Sequence, residues 1–198
     1  MGARFITPRE PRSSRQPKGA LFLDRDGVIN APPIRKRYIT RWEEFRFLPG
    51  VFDALRKLRK TGRKIILVSN QAGVGRGIYP STRLQEITRK MRAAIQNHGG
   101  KLHAVYYCTH TPERRCRCRK PRPGLLLRAA RRFSLDMPSS ILVGDNATDI
   151  ETGRAAGCRT VLVLSGVTAR KDVRRLNPAP DFVARDLSAA ARWISRQK

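Results

Sequence analysis

Five short apolar runs set the limits on how this chain can fold. Ala20 to Leu23, Lys64 to Val68, Leu102 to Tyr107, Ser140 to Val143 and Arg159 to Leu164 each read as a buried strand bounded by turn signals. Helical patterns lie between them. Pro49-Gly50 opens one, with Val51, Leu55 and Leu58 on one face and Gly62 at its end. Ser81 to His98 is the strongest, with Ser81 as N-cap, Leu84, Ile87, Met91 and Ile95 as its apolar stripe, and Gly99-Gly100 as its stop. Pro123 to Leu135 and Ile150 to Ala156 follow, the second closed by Gly157. A polar loop from Val167 to Pro180 and a helix from Asp186 to Ile194 complete the pattern. Strands alternating with helices imply an α/β fold, a doubly wound, Rossmann-like parallel sheet with right-handed crossovers. In such sheets a ligand site lies at the carboxyl ends of the strands.

The strand tips carry unusual chemistry. The first run stops at Asp24, followed by Asp26 and Gly27. Two carboxylates at a buried tip are costly unless paired, and a divalent cation with oxygen ligands is a natural partner. Alone, the pattern is equally an acidic turn. The second run ends in Ser69-Asn70-Gln71 and the glycine-rich AGVGRG, which offers a hydroxyl and free backbone N–H groups to phosphate oxygens. The run ending at Val143 leads into Gly144-Asp145-Asn146, with Asp149 four residues past Asp145 to brace the site or cap a helix.

Cysteine usage points to a metal rather than to disulfides. Three of the four cysteines fall between Cys108 and Cys118, and with His110 they spell C-x-H-x5-C-x-C. Cys108, His110, Cys116 and Cys118 suit a closed tetrahedral zinc site. With all four positions filled by protein, such a zinc (Zn2+) is structural and stiffens a loop with no core of its own. Arg119-Lys120-Pro121 follows the last ligand directly, so the knot would aim these two cations. Cys158 reads as a small apolar residue before a strand.

The net charge of +27, from 42 basic residues among 198, admits nucleic acid, a membrane surface or an anionic substrate as partner, and equally a general enrichment in arginine that implies no partner. The cations are scattered, and the few aromatics are not interleaved with them as a stacking platform for single strands requires. Nucleic acid is therefore compatible with the charge but not favoured. Residues 1–19, rich in proline, arginine and serine, read as a disordered basic arm. No apolar stretch approaches the ~20 residues that span a bilayer. MGARFITPRE lacks the apolar core of a signal peptide, and Ile6 stands where a myristoylation signal has Ser or Thr. A soluble, cytoplasmic protein without a membrane partner is expected, and a monomer.

Together the tips suggest phosphoryl chemistry on a small phosphorylated substrate. A carboxylate can attack phosphorus, and a second can protonate the leaving group and later deprotonate water. Magnesium (Mg2+) between Asp24 and Asp145 would offset charge repulsion, while Ser69 and Lys120 hold the phosphoryl oxygens.

Asp24-Arg25-Asp26-Gly27, Ser69-Asn70, Lys120, and Gly144-Asp145 with Asp149 resemble the four motifs of haloacid dehalogenase-superfamily phosphatases. The zinc-type knot running into CRKP makes the chain similar to the heptose 1,7-bisphosphate 7-phosphatases and the histidinol-phosphatases beside them. The likeness covers Leu21 to Gly166 and implies one phosphatase domain over residues 20–198, a zinc-bound loop and no large cap domain. It also implies Asp24 as nucleophile and Asp26 as acid and base, with the Asp26 carbonyl joining Asp24 and Asp145 on magnesium. Asn70, Gln71, Arg119 and Asn146 fall to the substrate side, with Ser69 and Lys120 on the phosphate.

Two departures concern the substrate rather than the reaction. The loop after the first motif is long and basic at Arg35-Lys36-Arg37, and Asn146 stands where the heptose enzymes often carry lysine. More cations in that loop suit a bisphosphate. Histidinol phosphate and a nucleic-acid end are the competing substrates, and a nucleic-acid-binding protein on the same scaffold is the competing class.

Overall fold

The computed structural model describes residues 18–33 and 38–197. The expected arm therefore lies almost wholly outside the described residues, as does the basic run Arg35 to Arg37.

Six strands form one parallel sheet: β1 (Ala20–Leu23), β2 (Lys64–Asn70), β3 (Ala104–Cys108), β4 (Ile141–Gly144), β5 (Arg159–Val163) and β6 (Phe182–Ala184). Their order is β3-β2-β1-β4-β5-β6. The chain winds outward from β1 to β3, then returns to place β4 on the other side of β1. That reversal opens a crevice beyond the ends of β1 and β4, the place where doubly wound sheets bind ligands.

Two-residue periodicity splits each strand between two cores. Leu21, Leu23, Ile65, Leu67, Ile141, Val143, Val161 and Val163 face helices α1 (Val51–Arg59), α3 (Ser81–Asn97) and α6 (Leu187–Ile194). Ala20, Phe22, Ile66, Val68 and Leu142 face α4 (Gly124–Phe133). Burial on both faces explains the unbroken apolar runs of the inner strands, which would alternate with polar residues in a half-exposed sheet. Two further helices flank the crevice: the single turn α2 (Ala72–Gly75) after β2, and α5 (Ala147–Ala155) after β4.

The structure shifts several expected boundaries. Ser81 is the first residue of α3 rather than its cap; Pro80 takes that place, and its side chain makes no capping bond. Helix α5 begins at Ala147, three residues before Ile150, because Asn146 accepts from the Thr148 N–H while Asp149 reaches back to the Asn146 N–H. Strand β3 runs on to Cys108, the loop expected from Val167 to Pro180 holds a 3-10 turn at Arg170–Arg175, and the edge strand β6 lies in the unassigned stretch between that loop and the helix expected from Asp186. Three residues at a sheet edge are too short to reveal a period. Among the described residues, no helix is long and apolar enough to cross a membrane.

Candidate active site

The crevice is a cavity of about 430 Å3 lined by Asp24, Asp26, Ser69, Asn70, Arg119, Lys120, Asp145, Asn146 and Asp149, with Pro32, Pro33, Tyr38 and Val167 as an apolar wall. Asp24 follows β1 directly, and its N–H still donates to the Val143 carbonyl at 3.0 Å, so the sheet itself fixes its backbone. Asp145 follows β4 in the same way. Its carboxylate occupies space that a side chain at Gly27 or Gly166 would fill, and it accepts from the Val167 N–H at 2.9 Å. Gly27 also has a φ of 79°, which a side chain resists.

Lys120 is buried, and its Nζ lies 2.9 Å from Asp24 Oδ1 and pairs with Asp149. Burial disfavours its charge, but the Asp149 and Asp24 carboxylates outweigh that and hold the ammonium well above the usual lysine range. Burial raises Asp24 to about 6, against the pull of Lys120. Asp145 is raised to about 7, by burial first and then by Asp24 and Asp149. Oxygens of Asp24, Asp145 and Asp149 lie within 4.8 Å of one another, three carboxylates against one ammonium. Although close to Lys120, Asp24 Oδ1 is buried and accepts no directed hydrogen bond. An orphaned carboxylate oxygen in a cluster with excess negative charge fits a hard cation.

Asp26 sits at the cavity edge in a cradle of donors. Oδ1 accepts from Arg25 Nε at 3.2 Å and from Asn30 Nδ2 at 2.8 Å; Oδ2 accepts from Arg25 Nη2 at 3.0 Å and from Gln71 Nε2 at 2.9 Å. Arg25 is fully buried, with its guanidinium 6.0 Å from the Phe45 ring centre. Arg25, Asn30 and Tyr79 were not singled out by sequence. Position gave a signal for Arg25 alone, since it stands between the two aspartates.

All four residues assigned to the substrate have partners within the protein. Gln71 is buried behind the cavity and bonds Asp26, Ser69 and Tyr79, so it braces the site rather than lining it. Ser69 and Gln71 share a side because side chains alternate along an extended chain. Asn70 lines the cavity, but its amide is engaged with the Lys120 backbone, at 3.2 Å to the carbonyl and 3.1 Å from the N–H. Asn146 lines the cavity and also caps α5. Arg119 lines the cavity, and its Nη1 donates to the His110 carbonyl at 3.4 Å.

Cys108, at the end of β3, meets His110, Cys116 and Cys118 from the following loop. Sulfur separations are 3.4 to 3.6 Å, and His110 Nδ1 lies 3.3 Å from Cys118 Sγ and 3.8 Å from Cys108 Sγ. Ligands ~2.3 Å from a tetrahedral zinc are separated by roughly 3.7 Å, so the donor set is compatible with that ion.

A HAD-hydrolase-like family model matches residues 117–190. The D-glycero-beta-D-manno-heptose-1,7-bisphosphate 7-phosphatase of Pseudomonas putida is 36% identical over 174 residues, 88% of this chain and 98% of the relative. That of Escherichia coli K12 is 34% identical over 187 residues, 90% of this chain and 95% of the relative. Among solved structures, the D,D-heptose 1,7-bisphosphate phosphatase of B. bronchiseptica, complexed with magnesium and phosphate, matches with a TM-score of 0.81 and 31% identity. The match covers 91% of this chain and 99% of that one.

Proposed function

Because this chain belongs to the family of haloacid dehalogenase-like phosphatases that includes the heptose 1,7-bisphosphate 7-phosphatases, we propose that it removes the 7-phosphate of D-glycero-D-manno-heptose 1,7-bisphosphate. The observation that carries this reading is the meeting of Asp24, Ser69, Lys120 and Asp145 in one crevice, in a chain matched along nearly its whole length by enzymes of that name.

The residues suit a two-step displacement. Asp24 attacks phosphorus, and its O–P bond forms as the bond to the sugar oxygen breaks, leaving an aspartyl-phosphate. Asp26 gives its proton to the departing alkoxide and then takes one from the water that attacks the intermediate, which releases phosphate and frees Asp24. Ser69 and the charged Lys120 hold the phosphoryl oxygens as charge develops. Asp24, Asp145 and the Asp26 carbonyl would hold magnesium, which when bound lowers the repulsion between nucleophile and phosphate. Cys108, His110, Cys116 and Cys118 would hold a structural zinc that stiffens the segment leading to Arg119 and Lys120, and this small loop would partly take the place of a large cap domain.

The test is phosphate release, with magnesium, from heptose 1,7-bisphosphate, the corresponding 1-phosphate, histidinol phosphate and a 3′-phosphorylated oligonucleotide. Turnover of the bisphosphate well above the others is expected. Preferred turnover of histidinol phosphate or of the oligonucleotide, which the +27 charge keeps in the panel, would overturn the substrate and leave the chemistry standing.

A further inference from the structure

We infer that Tyr79 and Gln71 form a positioning pair that sets the acid–base carboxylate Asp26, an inference that rests on the phosphatase reading above. The Tyr79 hydroxyl donates to Gln71 Oε1 at 3.0 Å, and Gln71 Nε2 donates to Asp26 Oδ2 at 2.9 Å and lies 3.3 Å from Ser69 Oγ. Gln71 and Tyr79 are both buried.

The order of these bonds has a consequence. A carboxamide presents a donor on one side and an acceptor on the other, and nothing in Gln71 itself decides which end faces Asp26. The Asp26 carboxylate, which only accepts, turns the amide nitrogen toward itself, and the Tyr79 hydroxyl, donating to Oε1, then holds the amide in that setting. A rotated amide would set its oxygen against the carboxylate, which is costly in a buried site.

The backbone holds the pair in place. The Gln71 N–H donates to the Cys108 carbonyl at 2.7 Å, which ties the residue to β3 as β2 ends. The Tyr79 ring fills the space beside Gly73, where any side chain would collide with it. The glycine after Ala72 is thus the seat of the aromatic ring. One amide thereby joins Asp26 to the Ser69 hydroxyl, and it is held in place by a residue that does not line the cavity.

Proton donation to the leaving group matters most for a poor leaving group. An alkyl phosphate such as the sugar needs it, whereas an aryl phosphate such as p-nitrophenyl phosphate departs without it. Tyr79→Phe, which removes only the hydroxyl, is expected to lower kcat/KM for the sugar bisphosphate by ~10-fold, a part of the ~100- to 10,000-fold that a placed acid–base group supplies. The same variant should change the aryl ester by no more than about 2-fold. Gln71→Leu also removes the contact to Ser69 Oγ, so it should add a loss common to both esters to the selective one, and the double variant should be no worse than Gln71→Leu alone, since Tyr79 acts through Gln71. Equal losses on both esters in Tyr79→Phe, or additive losses in the double variant, would overturn the pair. Asp24→Asn separates this from the underlying reading. If that variant retains turnover, the phosphatase mechanism fails; if it is inert while Tyr79→Phe hits both esters alike, only the pair fails.

Discussion

The side chain of Asn70 and the backbone of Lys120 hold each other in both directions, amide to carbonyl and N–H to amide oxygen. This clasp joins the tip of β2 to the segment that leaves the cysteine-histidine cluster. It sets where the Lys120 ammonium emerges between Asp24 and Asp149. Asn70→Ala should therefore act through Lys120. The expected loss is ~10- to 100-fold in kcat, the scale of an ångström-level misplacement, with little change in KM. A destabilisation of about 1 to 2 kcal/mol should accompany it, from the lost hydrogen bonds. Steady-state kinetics and denaturant melts check both. A rise in KM alone would mean that Asn70 acts on the substrate directly.

Zinc should be bound by the folded chain at one ion per molecule, as measured by elemental analysis. Cys118→Ser should lose it. Because Cys118 lies two residues from Lys120, the loss is expected to open the 109–123 segment to proteolysis and to lower turnover together. Retained activity in a zinc-free variant would separate the cluster from Lys120.

Magnesium should stabilise the protein in a pH-dependent way. Burial raises Asp24 to about 6 and Asp145 to about 7, both above the usual 3.8. In the metal-free chain a raised carboxylate favours the protonated fold, so its stabilising effect is full below the unfolded value and fades as pH rises through 6 to 7. The ionised carboxylates left above that range are the ones that take a cation. The rise in Tm on adding magnesium should be small near pH ~5 and grow through pH ~7. A gain that is flat with pH would contradict this linkage.

His103 accepts the Ile65 N–H through Nδ1 at 3.0 Å, at the start of β2. Burial, with Lys101 and Lys64, holds this imidazole below the usual 6.5. A lowered value means that the fold favours the neutral ring, so the contribution is present above 6.5 and lost as pH falls through the lowered value. His103→Asn keeps an acceptor without the titration. Thermal melts should match wild type near neutral pH and show a smaller loss on acidification.

The sheet was legible because parallel strands buried on both faces leave continuous apolar runs, and because the chemistry sits where those runs stop. Asp24, Ser69 and Asp145 were found by that abrupt ending, and the cluster from Cys108 to Cys118 by ligand spacing. What escaped has physical reasons. Strand β6 is three edge residues, and the first turn of α5 bends its side chains to capping rather than to an apolar stripe. Resemblance alone, through the stretch Asn70-Gln71-Ala72-Gly73, puts Gln71 on the substrate side. The partners that turn it the other way, Asp26 and Tyr79, come from separate parts of the chain and meet only in the folded state.

The most direct test of the account is to trap the enzyme during turnover. Acid-quenched protein, mixed with heptose 1,7-bisphosphate and magnesium, should gain the mass of one phosphoryl group, and peptide mapping should place it on Asp24. Asp24→Asn should show no adduct and no phosphate release. A phosphoryl group on another residue, or full turnover in Asp24→Asn, would contradict the central claim that Asp24 is the nucleophile.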